Sequence, residues 1–393
     1  MTSTDTSPPA VADGRRLREL IAYLLRLGAT GFGGPIALVG YMQRDLVERR
    51  AWITPREYSE GLAFSQLAPG PLAAQLAIYL GWVRGGTWGA TLAGVAFVLP
   101  SFLMVLALSL LYVRYGGLPW MQGAFYGVGA AVVAIIARSV VRLARMSLKR
   151  DPLLWLLFAG NAAVVVVTQT ELLSVIFASG VGALVARAAP SRSASTAVGL
   201  FLPVTIVQLN VAAGASSAPG VLWQVFWFFV KAGAVVFGSG LAIVPFLYGG
   251  AVQQYAWLGE RQFLDAIAVS MITPGPVVIT VAFIGYLVSG LPGAVLAALG
   301  VFLPVYLAVV LGAPLFNRVA RNPQLAAFVA GVTAAATGAL AGAAVILARR
   351  AIVDGPTLAV ALVTLALLVW ARKVPEPAVL LAAGCAGILL APA

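Results

Sequence analysis

No histidine occurs in the chain, and its single cysteine, Cys385, sits inside the last apolar run. These absences exclude a His/Cys metal site, an intrachain disulfide, a Cys–His nucleophile and a histidine proton relay. Charge is scarce too: 10% of the 393 residues are charged, against about 25% in a soluble domain. So few charges could not coat the two or three globular domains that this length would otherwise suggest. With 61% hydrophobic residues, the chain reads as an all-α polytopic membrane protein of the cytoplasmic membrane, with the lipid bilayer as its first partner. No cofactor is expected. No nucleophile–base pair, metal cluster or phosphate-binding loop points to an enzyme.

The net charge of +12 does not imply nucleic acid. The basic residues fall between apolar runs, at Arg142, Arg145, Lys149 and Arg150, at Arg187 and Arg192, at Arg349 and Arg350, and at Arg372 and Lys373. That is the distribution of cytoplasmic loops. Residues 1–17 read as a disordered cytoplasmic tail. No cleavable signal peptide is expected, because the first apolar run ends in glycine and proline.

A bilayer-crossing helix needs about 20 apolar residues. On that measure segments fall near 20–41, 59–83, 88–112, 120–141, 152–168, 171–187, 197–214, 222–248, 264–288, 291–313, 325–348, 356–371 and 376–391, about 13 in all. The chain also repeats itself. At an offset of 205, Gly28 meets Gly233, Phe32-Gly33 meets Phe237-Gly238, Trp52 meets Trp257, and Pro69-Gly70-Pro71 meets Pro274-Gly275-Pro276. At 204 the match continues through Gly86/Gly290, Pro100/Pro304, Arg114/Arg318 and Pro152/Pro356. Agreement of Pro-Gly-Pro, Trp and loop arginines at one period marks a duplication. The expected organisation is an N-terminal repeat at 18–190, a linker at 191–220 holding an extra crossing, and a C-terminal repeat at 221–393.

Six spans return the chain to its starting side, so one extra crossing inverts the second half. Two inverted six-helix repeats with broken helices are a common transporter plan. With the N-terminus inside, the loop holding Arg44, Arg49, Arg50 and Arg56 falls outside, against the positive-inside rule. If segment 20–41 is re-entrant, these assignments change.

Three glycines and a proline in Gly31-Phe32-Gly33-Gly34-Pro35 interrupt the first segment, since each weakens or breaks a helix interior. Pro69-Gly70-Pro71 interrupts the second, and both breaks recur, at Phe237-Gly238-Ser239-Gly240 and Pro274-Gly275-Pro276. Irregular backbone at membrane depth must be buried in protein or line a watery cavity. Paired breaks in corresponding positions point to a midplane binding site. Close helix packing is the alternative; it accounts for the glycines but not for the Pro-Gly-Pro pair.

A half-helix N-terminus presents free amides and favours an anion. Arg26 and Lys231 are repeat mates just before the breaks, and Lys231 follows Phe226-Trp227-Phe228-Phe229-Val230 deep in its segment. Such a cation is either functional or snorkels to the interface. Together with the hydroxyls of Ser65, Ser239, Ser270 and Thr273, these groups would suit a tetrahedral dianion. Gln66 and Gln75 either donate to the oxyanion or bond a neighbouring helix. Glu60 and Asp265, also repeat mates, either carry a coupling proton or sit at the interface as N-terminal helix charges. Trp52 and Trp257 are expected interfacial anchors.

The stretch GFGGPIALVGYMQRDLVERRAWITPREYSEGLAFSQLAPGP, residues 31–71, resembles the N-terminal signature of the chromate ion transporter family. Its second copy, at 237–276, resembles the partner half of the long, two-half members. The likeness covers about residues 18 to 390. It implies a secondary transporter that exports chromate and confers chromate resistance, with sulfate as a competing or exchanged dianion. It also implies that the family's motifs fall on residues 31–35, Gln66, 69–71, 237–240 and 274–276. The second copy departs from the first: Ser239, Gly240 and Met271 replace Gly34, Pro35 and Gln66. The first half is therefore expected to supply more polar contacts. An anion channel through the same pore is the competing expectation.

Overall fold

The computed structural model describes residues 14–116, 118–168, 173–187, 218–238, 240–316, 322–370 and 374–391. The expected crossing at 197–214, most of the 1–17 tail and Ser239 lie outside the described residues.

Helix α1 (Gly14–Thr30) ends at the glycine cluster, where Gly31 donates to the Leu27 carbonyl at 2.7 Å. Gly33 and Gly34 then take φ of +105° and +72°. L side chains rarely adopt that region. Helix α2 (Gly34–Met42) restarts with Pro35 in its first turn, where a missing amide costs nothing, and runs into a π-helical turn at Gln43–Arg49. The break reverses the chain. Tyr23, midway along α1, donates its hydroxyl to Asp45 at 3.3 Å, and the Arg50 guanidinium lies over the Tyr23 ring. Segment 20–41 is thus a hairpin of two helices and not one continuous helix.

The next segment does the same. Helix α3 (Pro55–Leu67) opens on a capping box between Thr54 and Glu57 and stops at β1 (Gly70–Pro71). Helix α4 (Leu72–Tyr115) begins by running back along α3, with Phe64 stacked on Tyr79 at 5.7 Å. Just before a kink in α4, Arg84 donates to the Trp52 carbonyl at 2.5 Å and to Glu57 at 2.8 Å. Both ends of segment 59–83 therefore meet, and the expected single span is a second hairpin. The physical reason is Pro69-Gly70-Pro71: two missing amides and Gly70 at φ +139° turn the chain by reversal. Beyond a kink at Gly85 and Gly86, where Gly86 has φ +57°, α4 continues to Tyr115. Helices α5 (Pro119–Ser147), α6 (Pro152–Thr168) and α7 (Leu173–Arg187) follow. An Arg187–Asp151 ion pair joins the end of α7 to the start of α6.

The second half repeats these details. It holds α8 (Ala218–Val235), β2 (Phe237–Gly238), a 3-10 turn at Gly240–Ile243, α9 (Val244–Leu247), a π-helical turn at Tyr248–Gln254 and α10 (Glu260–Ile272). After them come α11 (Thr280–Gly312), α12 (Pro323–Ala351), α13 (Gly355–Trp370) and α14 (Glu376–Leu390). Ala51 and Ala256 share φ +48°, and Trp52 and Trp257 each donate at 2.8 Å to the carbonyl six residues back. Gly290 at φ +62° kinks α11 as Gly86 kinks α4. The duplication is one of backbone conformation, not only of composition.

Among the described residues, four helices are long and apolar enough to cross a membrane: Leu72–Tyr115, Pro119–Ser147, Val277–Gly312 and Pro323–Ala351. Shorter apolar helices surround them. Trp88, Leu92, Val95, Leu99 and Leu103 expose a stripe along α4 that water would not tolerate and lipid would. Small residues let helices approach. A Cβ at Gly28 would strike the Phe97 carbonyl, and one at its repeat mate Gly233 would strike the Val301 carbonyl, the mate of Phe97. The halves share a core, with α5 against α14 and α12 against α6 and α7.

Candidate functional site

The four breaks meet at the centre. Gly70 and Pro71 pair in parallel with Phe237 and Gly238, so β1 belongs to the first half and β2 to the second. Gly70 donates to the Val236 carbonyl at 2.5 Å, and Gly275 donates to the Gly31 carbonyl at 2.8 Å. Ser101 seals the same corner, its hydroxyl donating to the Pro274 carbonyl at 2.8 Å with the Gly28 carbonyl at 3.2 Å. Gln75 is fully buried and donates its amide to the Pro69 carbonyl at 2.6 Å.

Against this junction lies a cavity of about 520 Å³. Its inner wall is the first break and the start of α2, residues 31–36, with Gln66 and Leu67 from the end of α3. Ser270, Met271, Thr273, Gly275 and Val277 come from the end of α10 and the break after it, and Leu241 and Ala242 from the second half's first break. Thr333 and Thr337 of α12 form a side wall. Arg142, near the end of α5, and Lys149, just beyond it, are exposed, and with the half-buried Glu376 from the start of α14 they mark the mouth. Glu376 lies 3.8 Å from Arg138. Among the described residues, no carboxylate pairs with Arg142 or Lys149.

Chemically the cavity offers donors to an anion. Gly33 caps α2 without any side-chain bond, so among the described residues no capping side chain takes up the first-turn amides that α2 has besides Pro35, and these lie beside the cavity. The half-helix end and the two mouth cations give it positive potential. The hydroxyls contribute less than their number suggests. Ser65 already donates to the Gly61 carbonyl at 2.8 Å, Ser270 to Ile267 at 2.7 Å, and Thr273 to Ser270 at 3.0 Å. A hydroxyl has one proton to donate, so these offer lone pairs unless they rotate. The amides of Gly70 and Gly275 are likewise taken by the opposite half.

Of the residues singled out from the sequence, Gly31, Phe32, Gly33, Gly34, Pro35, Gln66, Ser270, Thr273 and Gly275 line the cavity. Pro71, Gly240 and Pro276 line a small void behind it. Pro69, Gly70, Gln75, Pro274 and the backbone of Phe237 and Gly238 build the junction. Ser65 is buried inside the first hairpin pair. Arg26 and Lys231 are elsewhere: neither lines the cavity, and Arg26 is exposed on α1. Glu60 is half-buried and pairs with Arg56 at 2.9 Å, whereas Asp265 is buried and accepts from Tyr112 at 2.8 Å. Arg142 and Lys149 were legible only as basic loop residues. Their cluster marked a membrane face, and nothing in the linear sequence pointed it at a break more than a hundred residues earlier.

The sequence profile described as chromate transporter matches residues 18–185 and 223–388, one stretch per half. A chromate transport protein of Cupriavidus metallidurans is 56% identical over 378 residues, covering 96% of this chain and 94% of that protein. A probable chromate transport protein of Synechococcus elongatus is 51% identical, covering 95% of each. A chromate transport protein of Pseudomonas aeruginosa is 32% identical, covering 99% of this chain and 96% of that one. No solved structure matches the chain significantly.

Proposed function

The chain belongs to the chromate transporter family, and on that premise we propose that it exports chromate from the cytoplasm by alternating access. In this reading it is a secondary carrier of the cytoplasmic membrane that confers chromate resistance. The observation that carries the reading is the cavity: a half-helix N-terminus with no side-chain cap at its inner end and two cations at its mouth that no carboxylate among the described residues pairs with. A cavity of about 520 Å³ is many times the roughly 30 Å³ share of one water, ample for a partly hydrated dianion. Sulfate, a dianion of like shape, is the expected competitor or exchange partner.

Topology supports the direction. Counted as hairpins, segments 20–41 and 59–83 enter and leave at one end of the molecule. Arg44, Arg49, Arg50, Arg56 and Arg84 then share that end with the basic residues of 142–150, because two crossings by α4 and α5 return the chain to it. Arg187, paired to Asp151, falls there too. The positive-inside rule makes this end cytoplasmic. The cavity mouth opens on it. The second half enters from the other end: Arg261 donates to the Gln122 carbonyl at the start of α5, and Glu260 pairs with Arg350 at 3.2 Å. Two halves of opposite orientation, each offering hairpins to a common centre, suit alternating access. The bonds of Gly70 and Gly275 close the path beyond the cavity, which favours a carrier over an open pore.

An inside-negative potential contributes about 2.3 kcal/mol per charge per 100 mV to an outward-moving dianion, so export needs no further ion. Chromate uptake by inside-out vesicles tests the whole reading. Uptake that accelerates with sulfate or chromate on the opposite side is expected of a carrier. Uptake indifferent to it would mean a channel, and no uptake would remove the function.

A further inference from the structure

Tyr112, near the far end of α4, reaches across from the first half to the second half's hairpin. Its hydroxyl donates to Asp265 at 2.8 Å, and its ring meets Phe125 and Phe283 edge-on at 5.4 and 5.1 Å. Asp265 is 4% exposed. The contact lies at the end of the molecule opposite the cavity mouth, beside Arg261 and the start of α5. We propose that Tyr112 and Asp265 form the latch that closes the outer end of the carrier, and that a proton on Asp265 holds it shut.

The repeat isolates what is special about this corner. The mates of Tyr112, Asp265 and Phe283 are Phe316, Glu60 and Tyr79. Phe316 rests edge-on against Phe64 at 5.3 Å, and Phe64 stacks on Tyr79, so aromatic packing recurs at the other corner with Phe64 standing between the mates. The polar bond is built once. Phe316 has no hydroxyl, and Glu60 turns to Arg56. Among the described residues, the Tyr112–Asp265 bond thus has no repeat mate at the cytoplasmic corner, although Arg138 and Glu376 also meet across the halves at that end.

Outward opening, which rests on the alternating-access reading above, must part α4 from α10 and wet Asp265. Burial disfavours a charged carboxylate and hydration favours it. The Tyr112 bond and the Arg261 charge favour the carboxylate and offset part of this, but burial is the larger effect, so the neutral acid is the form that stays latched and the carboxylate is the form that opens. Among the described residues, the titratable and charged groups facing Asp265 are Tyr112 from α4 and Arg261 one turn back on α10. Helices α5, α11, α12 and α14 and the π-helical turn at Tyr248–Gln254 also pack on α10; Arg350 of α12 and Tyr248 of the turn face Glu260, and none of these elements presents a charged group to Asp265. The proton comes from and returns to the outer solution, so external acid favours the closed latch.

Ser109, fully buried one turn before Tyr112, reports the state of this corner. In a Cys385→Ala background, Ser109→Cys is exposed to an impermeant maleimide outside right-side-out vesicles, with rates taken relative to unfolded protein at the same pH. Expected is labelling at least threefold faster at pH 8 than at pH 6. Adding Asp265→Asn should leave labelling slow at both values, and adding Tyr112→Phe should speed it at both. Where Asp265→Asn fails to fold, Tyr112→Phe decides alone. Equal rates with and without Tyr112→Phe, or a pH response that survives Asp265→Asn, would overturn the latch. Chromate flux measured in the same membranes separates the two ideas: flux without the labelling pattern sinks only the latch, and the labelling pattern without flux sinks only chromate transport.

Discussion

Gly275 donates its amide hydrogen to the carbonyl of Gly31 across the junction of the halves, and the repeat supplies the mirror bond, Gly70 to Val236. Each half thus satisfies the broken backbone of the other. Neither pair of breaks could sit at membrane depth alone, because an unmet amide there costs several kcal/mol.

Replacing Gly275 should therefore unseat the junction. Its φ is +97°, and a Cβ would meet the Ser101 hydroxyl, which is already committed to the Pro274 carbonyl. Gly34 also has a positive φ, +72°, but nothing lies within 4 Å of the added carbon. Gly34→Ala should cost only the left-handed penalty of about 1–2 kcal/mol. Gly275→Ala should cost clearly more and unfold at a lower Tm in detergent than Gly34→Ala. Equal Tm values would show that the junction relaxes freely.

Much of this was legible in the sequence. The offset of Pro69-Gly70-Pro71 to Pro274-Gly275-Pro276 disclosed the duplication, and the glycine clusters disclosed the breaks. What hydropathy could not separate is a helix that crosses from two helices that turn back, since both read as twenty apolar residues. The deciding contacts, Tyr23 to Asp45 and Arg84 to Trp52, link residues 22 and 32 apart and leave no periodic trace. Arg26 and Lys231 attracted attention because a cation in an apolar run is rare. The cations that border the cavity, Arg142 and Lys149, looked ordinary because they sit where loop arginines belong.

Arg84 ties the second hairpin shut, bonding both the Trp52 carbonyl and the Glu57 carboxylate while about a quarter exposed. Arg84→Ala should destabilise by about 1–3 kcal/mol, as expected when a bonded charge leaves its partners unmet. The neighbouring Arg56–Glu60 pair has an arginine that is 86% exposed, and Arg56→Ala should leave stability unchanged, because solvent screens an exposed pair. Denaturation in detergent would compare them. A larger loss at Arg56 would contradict the hairpin closure.

Hairpins in place of spans move a whole loop to the other side of the membrane. Glu48, exposed in the π-helical turn, should then face the cytoplasm with Arg187. In a Cys385→Ala background, Glu48→Cys should react with an impermeant maleimide in inside-out vesicles and resist it in intact cells. Labelling of intact cells would restore the reading in which 20–41 crosses once.

The two pairs of cations give opposite predictions for transport. Arg142 and Lys149 border the cavity without a carboxylate partner among the described residues, so a dianion at its mouth feels both. Losing one such charge should cost about 1.4 kcal/mol, a tenfold change in affinity, and a partly screened site should show somewhat less. Arg142→Gln and Lys149→Gln should each raise the KM for chromate by about three- to tenfold, more at low salt than at high, with little change in maximal rate. Arg26→Gln and Lys231→Gln, outside the cavity, should alter KM less than about twofold, well under that 1.4 kcal/mol. If the second pair proves the more damaging, the anion does not enter by this mouth, and the path must run along α1 and α8 instead.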